Sequence, residues 1–489
     1  MGGNGNDSGN DSGNRVVVAG AGPVGLMLAG ELRLGGAEVV VLERLATPTT
    51  ESRASTVHAR SMEILDQRGL LARLGTPPRE LKGHFGGLPF DLSGQPTRYQ
   101  GQWKIPQARL EALLTEWATG LGADIRREHQ VSDVDERPDG VVVRADTPDG
   151  PVRYTAGYLV GCDGEDSTVR RLAGFAFPGT PATRELLRCD VTGVAVPDRR
   201  FERLPNGLAI AATRAGVTRV MVHEYGRAPA ARATAPDFAE VAETWARVTG
   251  EDIRSGTPVW VNAFDDTARL VEGYRRGRVL LAGDAAHRQL PVGGQALNLG
   301  LQEAVNLGWK LAMTVAGRAP AGLLDSYHEE RHPVARRVLA SVGTQALLLF
   351  GGAELDPVRA LLAELLEQAP EHFGRTAGGL DIRYGDDVNP LTGARLPHVE
   401  LGTGDGPSSS TSLLRTGRGV LLDLSGESGR LAAAAAPWRE RVDLVPAVPP
   451  PGSPVDGLAT VLLRPDGHVA MAAGRDADPR PALRRWFGG

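Results

Sequence analysis

From residue 15 the chain alternates short apolar runs with glycine-rich breaks. The segment RVVVAGAGPVGLMLAGELRLGGAEVVVLER, residues 15–44, opens on an apolar run, breaks at Gly20, continues with apolar residues at helical spacing and closes on EVVVLE. That pattern predicts strand, tight turn, helix and strand, one βαβ unit. YLVGCDGEDSTVRRLAG, residues 158–174, and the run RVLLAGD ending at Asp284 predict two further strands, each followed by glycine and aspartate and then a helix. Between about 180 and 280 polarity alternates as in strands, in GLAIAATRAGVTRVMVHEY with its glycine-containing turn and in PVWVNAF. PDFAEVAETWARVTG places Phe238, Val241, Trp245 and Val248 on one helical face and stops at Gly250, so this region predicts a sheet with a covering helix. From 294 to about 370 the pattern is mainly helical, with Gly317 and Pro320 closing one helix and Pro333 kinking or starting another. The remainder reads as a separate α/β block: GVLLDLSG, an Ala-rich helix, VDLVPAV and the hairpin ATVLLRPDGHVAMA, with PAVPPPGSP as a loop. Residues 1–14 repeat Gly, Asn, Asp and Ser without an apolar anchor and predict a disordered tail.

Composition narrows the class of partner. The 489 residues are enough for about three domains, and 41% hydrophobic with 23% charged residues is the balance of a soluble globular protein. No apolar run reaches the roughly 18 residues of a membrane span, and no apolar secretory core is present, so a cytoplasmic protein with no membrane partner is expected. A net charge of -5 gives no electrostatic reason to bind nucleic acid. Cys162 and Cys189 form neither a disulfide framework nor a C-x-x-C pair, which fits a reduced compartment without thiol redox chemistry. No His/Asp/Glu cluster has metal-site spacing and no nucleophile elbow is present, so no metal is expected.

The chemistry concentrates in three motifs. Gly20-x-Gly22-x-x-Gly25, with Pro23 and Val24 inside it, follows a strand and opens a helix, and Glu43 ends the next strand at the expected spacing of roughly 20 residues. Gly20 permits the turn, Gly22 admits a pyrophosphate to the backbone, Gly25 allows close helix–strand packing, and the helix start offers N–H groups to phosphate. Glu43 would accept hydrogen bonds from an adenosine ribose, which points to FAD or NAD rather than a 2′-phosphate. The second motif is Asp163-Gly164. In the third, Asp284 can accept hydroxyl hydrogens from a sugar or ribityl chain, Pro291, Gly293 and Gly294 bring bare backbone to a flat ligand, and a helix starting near Asn298 aims its N–H groups there.

These pieces, in this order and spacing, resemble the class A flavin-dependent aromatic hydroxylases of the para-hydroxybenzoate hydroxylase fold, in the branch acting on aromatic polyketides. ESRASTVHARSMEILDQRGL and IPQARLEALL add to the likeness. The resemblance implies an α/β fold: a Rossmann-like FAD-binding domain with a helical segment over 15–178 and 277–394, a β-sheet substrate-binding domain over 179–276, and a thioredoxin-like C-terminal domain over 395–489, structural because it lacks C-x-x-C. It implies FAD held by Gly20, Gly22, Pro23, Val24, Gly25, Glu43, Arg44, Arg53, Gln107, Arg109, Asp163, Gly164, Asp284, Pro291, Gly293, Gly294, Gln295, Ala296, Leu297 and Asn298. Arg53 would meet the pyrophosphate, and the helix start by Leu297 and Asn298 would stabilise negative charge on reduced flavin. The family turn commonly reads Gly-Gln-Gly-Met-Asn; here Ala296 and Leu297 replace Gly and Met, so the backbone at 296 must accept a Cβ.

No second dinucleotide motif follows a strand, so NADPH or NADH is expected to reduce the flavin transiently. The family chemistry then implies a flavin C4a-hydroperoxide from O2 that hydroxylates a polycyclic aromatic polyketide in a pocket closed to water. No residue stands out as catalytic. His287 and Pro291 beside the flavin turn, His223 on the sheet face shared with Arg219, Met221 and Tyr225, and Phe85 and Phe90 in GHFGGLPF are the candidate pocket residues. A Baeyer–Villiger oxygenase of a polycyclic ketone uses the same parts, and a flavin-dependent reductase without oxygen insertion is a further alternative. The number of subunits stays open.

Overall fold

The computed structural model describes residues 12–48, 55–230, 232, 234–385, 389–426 and 428–489. Most of the expected tail lies outside the described residues, and its end, Ser12–Asn14, forms one turn of 3-10 helix.

The central sheet has six strands in the order Arg275–Arg276, Val279–Leu281, Tyr158–Gly161, Arg15–Ala19, Glu38–Glu43 and Asp124–Arg127, parallel except for the first. Val16, Val17 and Val18 are wholly buried, because a parallel sheet covered on both faces needs continuous apolar strands rather than alternation. Helix Pro23–Leu34 packs against helices Gln295–Val315 and Gln107–Gly120, and small residues allow the close approach. A Cβ on Gly308 would lie 2.3 Å from Glu31 Cβ, and one on Gly30 would lie 2.1 Å from the Trp117 ring.

The middle region is a five-stranded antiparallel sheet in the order Arg199–Leu204, Gly207–Arg214, Val217–Glu224, Glu185–Thr192 and Thr257–Asp265. Its tight hairpin turns at Ala215 and Gly216, with φ of 50° and 78°, as a two-residue turn with both φ positive requires. Alternation decides the two faces. Leu187, Cys189, Val191, Ala209, Val220 and Val222 pack on Val241, Trp245 and Val248 of helix Phe238–Thr249. That helix starts on Asp237, which accepts the Glu240 N–H at 2.7 Å, and ends on left-handed Gly250. The opposite face carries Leu186, Arg188, Met221, Trp260 and Phe264.

The helical segment comprises Gln295–Val315, Ser326–Phe350, Asp356–Gln368 and Pro370–Gly378. Pro333 neither starts nor ends a helix but lies inside Ser326–Phe350. Tertiary anchors on the preceding residues offset the missing N–H: Arg331 donates to the Tyr384 hydroxyl and His332 to the Val271 carbonyl, both at 2.9 Å. No described helix is long and apolar enough to cross a membrane.

The C-terminal block is a six-stranded sheet in the order Gly406–Ser409, Glu400–Thr403, Val442–Val448, Gly419–Asp423, Thr460–Leu463 and Val469–Ala473. Gly419–Asp423 runs parallel to Val442–Val448 across helix Ser428–Ala435 and antiparallel to Thr460–Leu463, and helix Arg480–Phe487 closes the chain. A charged turn docks it on the rest. Arg464 meets Glu330 at 2.5 and 2.8 Å, and Gln67 donates to the Pro465 carbonyl at 2.7 Å.

Candidate cofactor site

The three sequence motifs converge at the carboxyl ends of neighbouring parallel strands, where open α/β sheets bind ligands. Gly20, at φ 101°, donates its N–H to Leu42 O at 2.7 Å, and a Cβ there would lie 2.4 Å from Cys162 O. A Cβ on Gly25 would lie 2.0 Å from Gly20 O, so this glycine sets the helix–strand contact. Gly22 is different: its Cβ would meet nothing within 4 Å, and no side chain caps helix Pro23–Leu34 above it. Glu43 braces the loop by accepting the N–H groups of Ala21 at 2.8 Å and Leu45 at 2.9 Å. Val24 ties the first motif to the third, since a Cβ on Gly283 would lie 3.0 Å from its Cγ2 and one on Gly300 would lie 2.6 Å away.

Asp163 turns inward. Its carboxylate accepts from the Ser167 hydroxyl and from the N–H groups of Thr168 at 2.7 Å and Val169 at 3.0 Å, so it shapes the loop before helix Thr168–Leu172. Gly164 follows at φ 82°. Asp284 is exposed on the turn Gly283–Ala285, which Arg170 secures by donating to Ala285 O at 3.0 Å. Pro291 is exposed as well, whereas Leu290 and Val292 are buried. Gly293 and Gly294, at φ 66° and 71°, are both left-handed, and the helix begins at Gln295, three residues ahead of the expected start. Ala296 and Leu297 therefore sit in the first helical turn, where a Cβ is accommodated without strain.

Asn298 holds protein rather than facing a guest. Its Oδ1 accepts the His58 N–H at 2.8 Å, and its Nδ2 donates to Thr56 O at 3.0 Å and Gly294 O at 2.7 Å. His58 completes the clasp through Nε2 to Gly293 O at 2.8 Å. Burial lowers its pKa to about 4, with Lys104 acting the same way against the Gly293 carbonyl, so the ring is neutral and donates. Buried Gln345 closes the far side by accepting the Gly86 N–H at 3.3 Å.

The remaining expected residues are spread more widely. Arg53 lies outside the described residues, and Arg44 is exposed. Gln107 donates to Glu111 at 2.8 Å. Burial raises the Glu111 pKa and the nearby Glu43 charge adds to it, against the Gln107 hydrogen bond. Arg109 is exposed and donates to Leu74 O. His287 is not on a pocket wall: it is 1% exposed and paired with Glu303 at 3.2 Å. His223 is packed against the Phe350 ring at 4.6 Å and meets Glu185 O at 2.8 Å through Nδ1. Phe85 and Phe90 belong to a satellite cluster with Leu362, Leu366 and Phe373, on the helices after residue 355.

The donor set suits a flavin dinucleotide: an open Gly22 under an uncapped helix start, a carboxylate at each of positions 43 and 284, and a second uncapped helix start behind two left-handed glycines. The comparisons with known proteins agree. The FAD binding domain family matches residues 14–342, and the C-terminal family of aromatic-ring hydroxylases matches residues 389–489. The 12-dehydrotetracycline 5-monooxygenase/anhydrotetracycline 6-monooxygenase of Streptomyces rimosus subsp. rimosus is 44% identical, over 97% of this chain and 98% of its own. The structure of BexE, studied for oxidation during BE-7585A biosynthesis, superposes with a TM-score of 0.93 at 50% identity, covering 97% of this chain and 99% of that one. CabE, an aromatic hydroxylase from angucycline biosynthesis, superposes with a TM-score of 0.93 at 48% identity and the same coverage. The chain belongs to the FAD-dependent aromatic-ring hydroxylase family. It is an aromatic monooxygenase with FAD as its cofactor.

Proposed function

We propose that the protein uses NAD(P)H and O2 to hydroxylate a polycyclic aromatic polyketide, as a tailoring step in the making of an antibiotic. One observation carries the substrate reading. The face of the five-stranded sheet not sealed by helix Phe238–Thr249 meets the cofactor turn through a shared apolar cluster, in which Leu290 and Val292 of the turn join Leu186, Met221 and Phe264 of the sheet. Trp260 lies on that same face under the buried Arg188 guanidinium, 4.3 Å from its ring centroid. Flat aromatic surface beside the Arg188 and Arg219 guanidinium groups, which share Asp190, suits fused phenolic rings. The named relatives support it, one being a monooxygenase of 12-dehydrotetracycline and anhydrotetracycline and another an aromatic hydroxylase from angucycline biosynthesis.

Bound flavin, once reduced by NAD(P)H, supplies activated oxygen from O2. The chain's own residues do the rest. Gly22 and the helix start behind it would receive the pyrophosphate, with Gly20 and Gly25 shaping the turn and the helix–strand contact, while Glu43 would meet the adenosine ribose and Asp284 the ribityl hydroxyls. The helix start at Gln295, braced by His58 and Asn298, would offer its N–H groups to the flavin ring. Leu186, Met221 and Phe264 keep water from the reacting edge.

The same reading assigns 15–178 with 277–394 to the FAD-binding part, 179–276 to the substrate part and 395–489 to a thioredoxin-like module. The module's β-α-β unit followed by an antiparallel hairpin and a closing helix supports the last assignment, and the unbridged Cys162 and Cys189, elsewhere in the chain, support a cytoplasmic setting. The test is to incubate holoenzyme with NADPH, labelled dioxygen and a panel of tetracyclic phenolic polyketides. One heavy atom as a new ring hydroxyl is expected. A heavy atom inside a ring lactone would make the protein a Baeyer–Villiger oxygenase, and NADPH consumption without incorporation would make it a reductase.

A further inference from the structure

Beneath the cofactor turn lies a polar cluster that the proposed reaction does not use. Glu303, on the third turn of helix Gln295–Val315, is 0% exposed and gathers three donors from three segments. Its Oε2 accepts the Gly283 N–H at 2.8 Å and faces His287 Nε2 at 3.2 Å, while its Oε1 accepts the Tyr274 hydroxyl at 2.9 Å. His287 and Tyr274 are 1% and 0% exposed. A carboxylate withdrawn completely from water is retained in a fold only where its partners compensate, and breaking such a set leaves an uncompensated charge. Gly283 is itself left-handed and pressed against Val24, so its N–H direction governs where Asp284 points.

We propose that Glu303 is a positioning residue for FAD: with His287 and Tyr274 as its buried partners, it fixes the Gly283–Asp284 turn from below and thereby aims the Asp284 carboxylate at the ribityl chain. This rests on the assignment of Asp284 to the flavin site. Burial alone would lower His287, but Glu303 raises it above the ordinary imidazole value; His287 holds Glu303 below the ordinary carboxylate range against its own burial. The other ionisable groups facing the pair are Asp284 on the turn, Arg331, Tyr327 and His332 on helix Ser326–Phe350, and Cys162. A raised histidine contributes below its ordinary value and stops contributing as pH rises through its raised one. Wild-type FAD retention is therefore expected to weaken as pH climbs through the raised value of His287.

The experiment measures FAD dissociation from holoenzyme by recovery of flavin fluorescence across pH, with thermal melting of each apoprotein to report the fold. Glu303→Gln should release FAD about tenfold faster or more, the loss of a charged hydrogen-bonding partner, and should lack the alkaline step. Glu303→Asp should keep the step, and His287→Gln should remove it while retaining a donor. Asp284→Ala tests the underlying assignment on its own. If Asp284→Ala releases FAD and the Glu303→Gln and Asp284→Ala effects fail to overlap in the double variant, the inference is overturned while the site stands. If Asp284→Ala retains FAD as the wild type does, the assignment itself fails. Should Glu303→Gln not fold, His287→Gln with an unchanged alkaline step overturns the inference equally.

Discussion

Glu330→Gln should undock the C-terminal block, and the structure sets the size of the effect. The Glu330 carboxylate accepts from both Arg464 nitrogens, from Lys310 at 2.7 Å and from Asn306 at 2.6 Å. Burial alone would raise its pKa, but Arg464 and Lys310 pull it from the ordinary 4.5 down to about 2. At about 1.4 kcal/mol per unit, that is about 3 kcal/mol of stability, at the lower end of the roughly 3–5 kcal/mol for breaking a buried ion pair. A depressed carboxyl contributes fully above its ordinary value and is lost as pH falls through its folded one, so the contribution is constant from pH 5 to about 7, above which Lys310, lowered by burial to about 8, begins to lose its charge. Native-state hydrogen exchange reads it locally. The Gly467 N–H, bonded to Arg464 O at 2.8 Å, and the Val469 N–H, bonded to Ala394 O at 2.8 Å, should exchange about 100-fold faster in the variant at pH 7. Protection within threefold of wild type, or a difference that disappears by pH 5, would refute the reasoning.

Three further outcomes are open to measurement. Gly20→Ala puts a Cβ 2.4 Å from Cys162 O at a left-handed position, and purification should yield protein without flavin; a yellow, fully loaded variant would contradict the loop geometry. His58, lowered to about 4, must be charged on acidification, so wild type should lose about 3 kcal/mol between pH 6.5 and 4, and urea titration of His58→Asn should show a correspondingly smaller loss. Burial pushes the Cys189 thiol up to about 12, with Asp190 adding to it, so a thiol-specific chromogenic reagent at pH 8 should label Cys189 only after denaturation.

What the sequence made legible was what is local or periodic. The glycine spacing from Gly20 to Gly25 and the acidic end of the next strand lie within one βαβ unit, and the structure assembles them as that spacing requires. The alternation in GLAIAATRAGVTRVMVHEY separated the helix-packed face from the face now bearing Met221, although it could not tell that Phe350 covers His223. The His58–Asn298 clasp joins residues 240 apart and has no periodic signature. Glu303 did leave a trace: Glu303, Asn306 and Lys310 interrupt an otherwise apolar helix stripe at spacings of three and four, and all are 2% exposed or less. Buried polar residues on such a stripe imply partners, and reading them so would have found both clusters. Of the two readings of Pro333, kinking or starting a helix, the start is overturned, because the helix runs through it and is held by tertiary hydrogen bonds rather than by local propensity.

The two clusters share one element, and this gives the C-terminal block a reason to be present without a redox motif. Helix Gln295–Val315 starts at the cofactor turn, carries Glu303 beneath that turn, and two turns later carries Lys310 into the Glu330–Arg464 network of the docked block. An α-helix rises about 1.5 Å per residue, so the seven residues from Glu303 to Lys310 separate the clusters by about 10 Å along a rigid rod. Trp309 joins the two sides as well: its indole N–H donates to Asp466 at 3.3 Å, and the Arg464 guanidinium lies 5.4 Å from its ring centroid. A helix whose start is proposed to offer N–H groups to a flavin ring gains from anchors on both sides of its length, since tilt about either anchor alone would displace the start. The docked block therefore anchors, through Arg464 and Asp466, the far part of the helix whose start forms the candidate site.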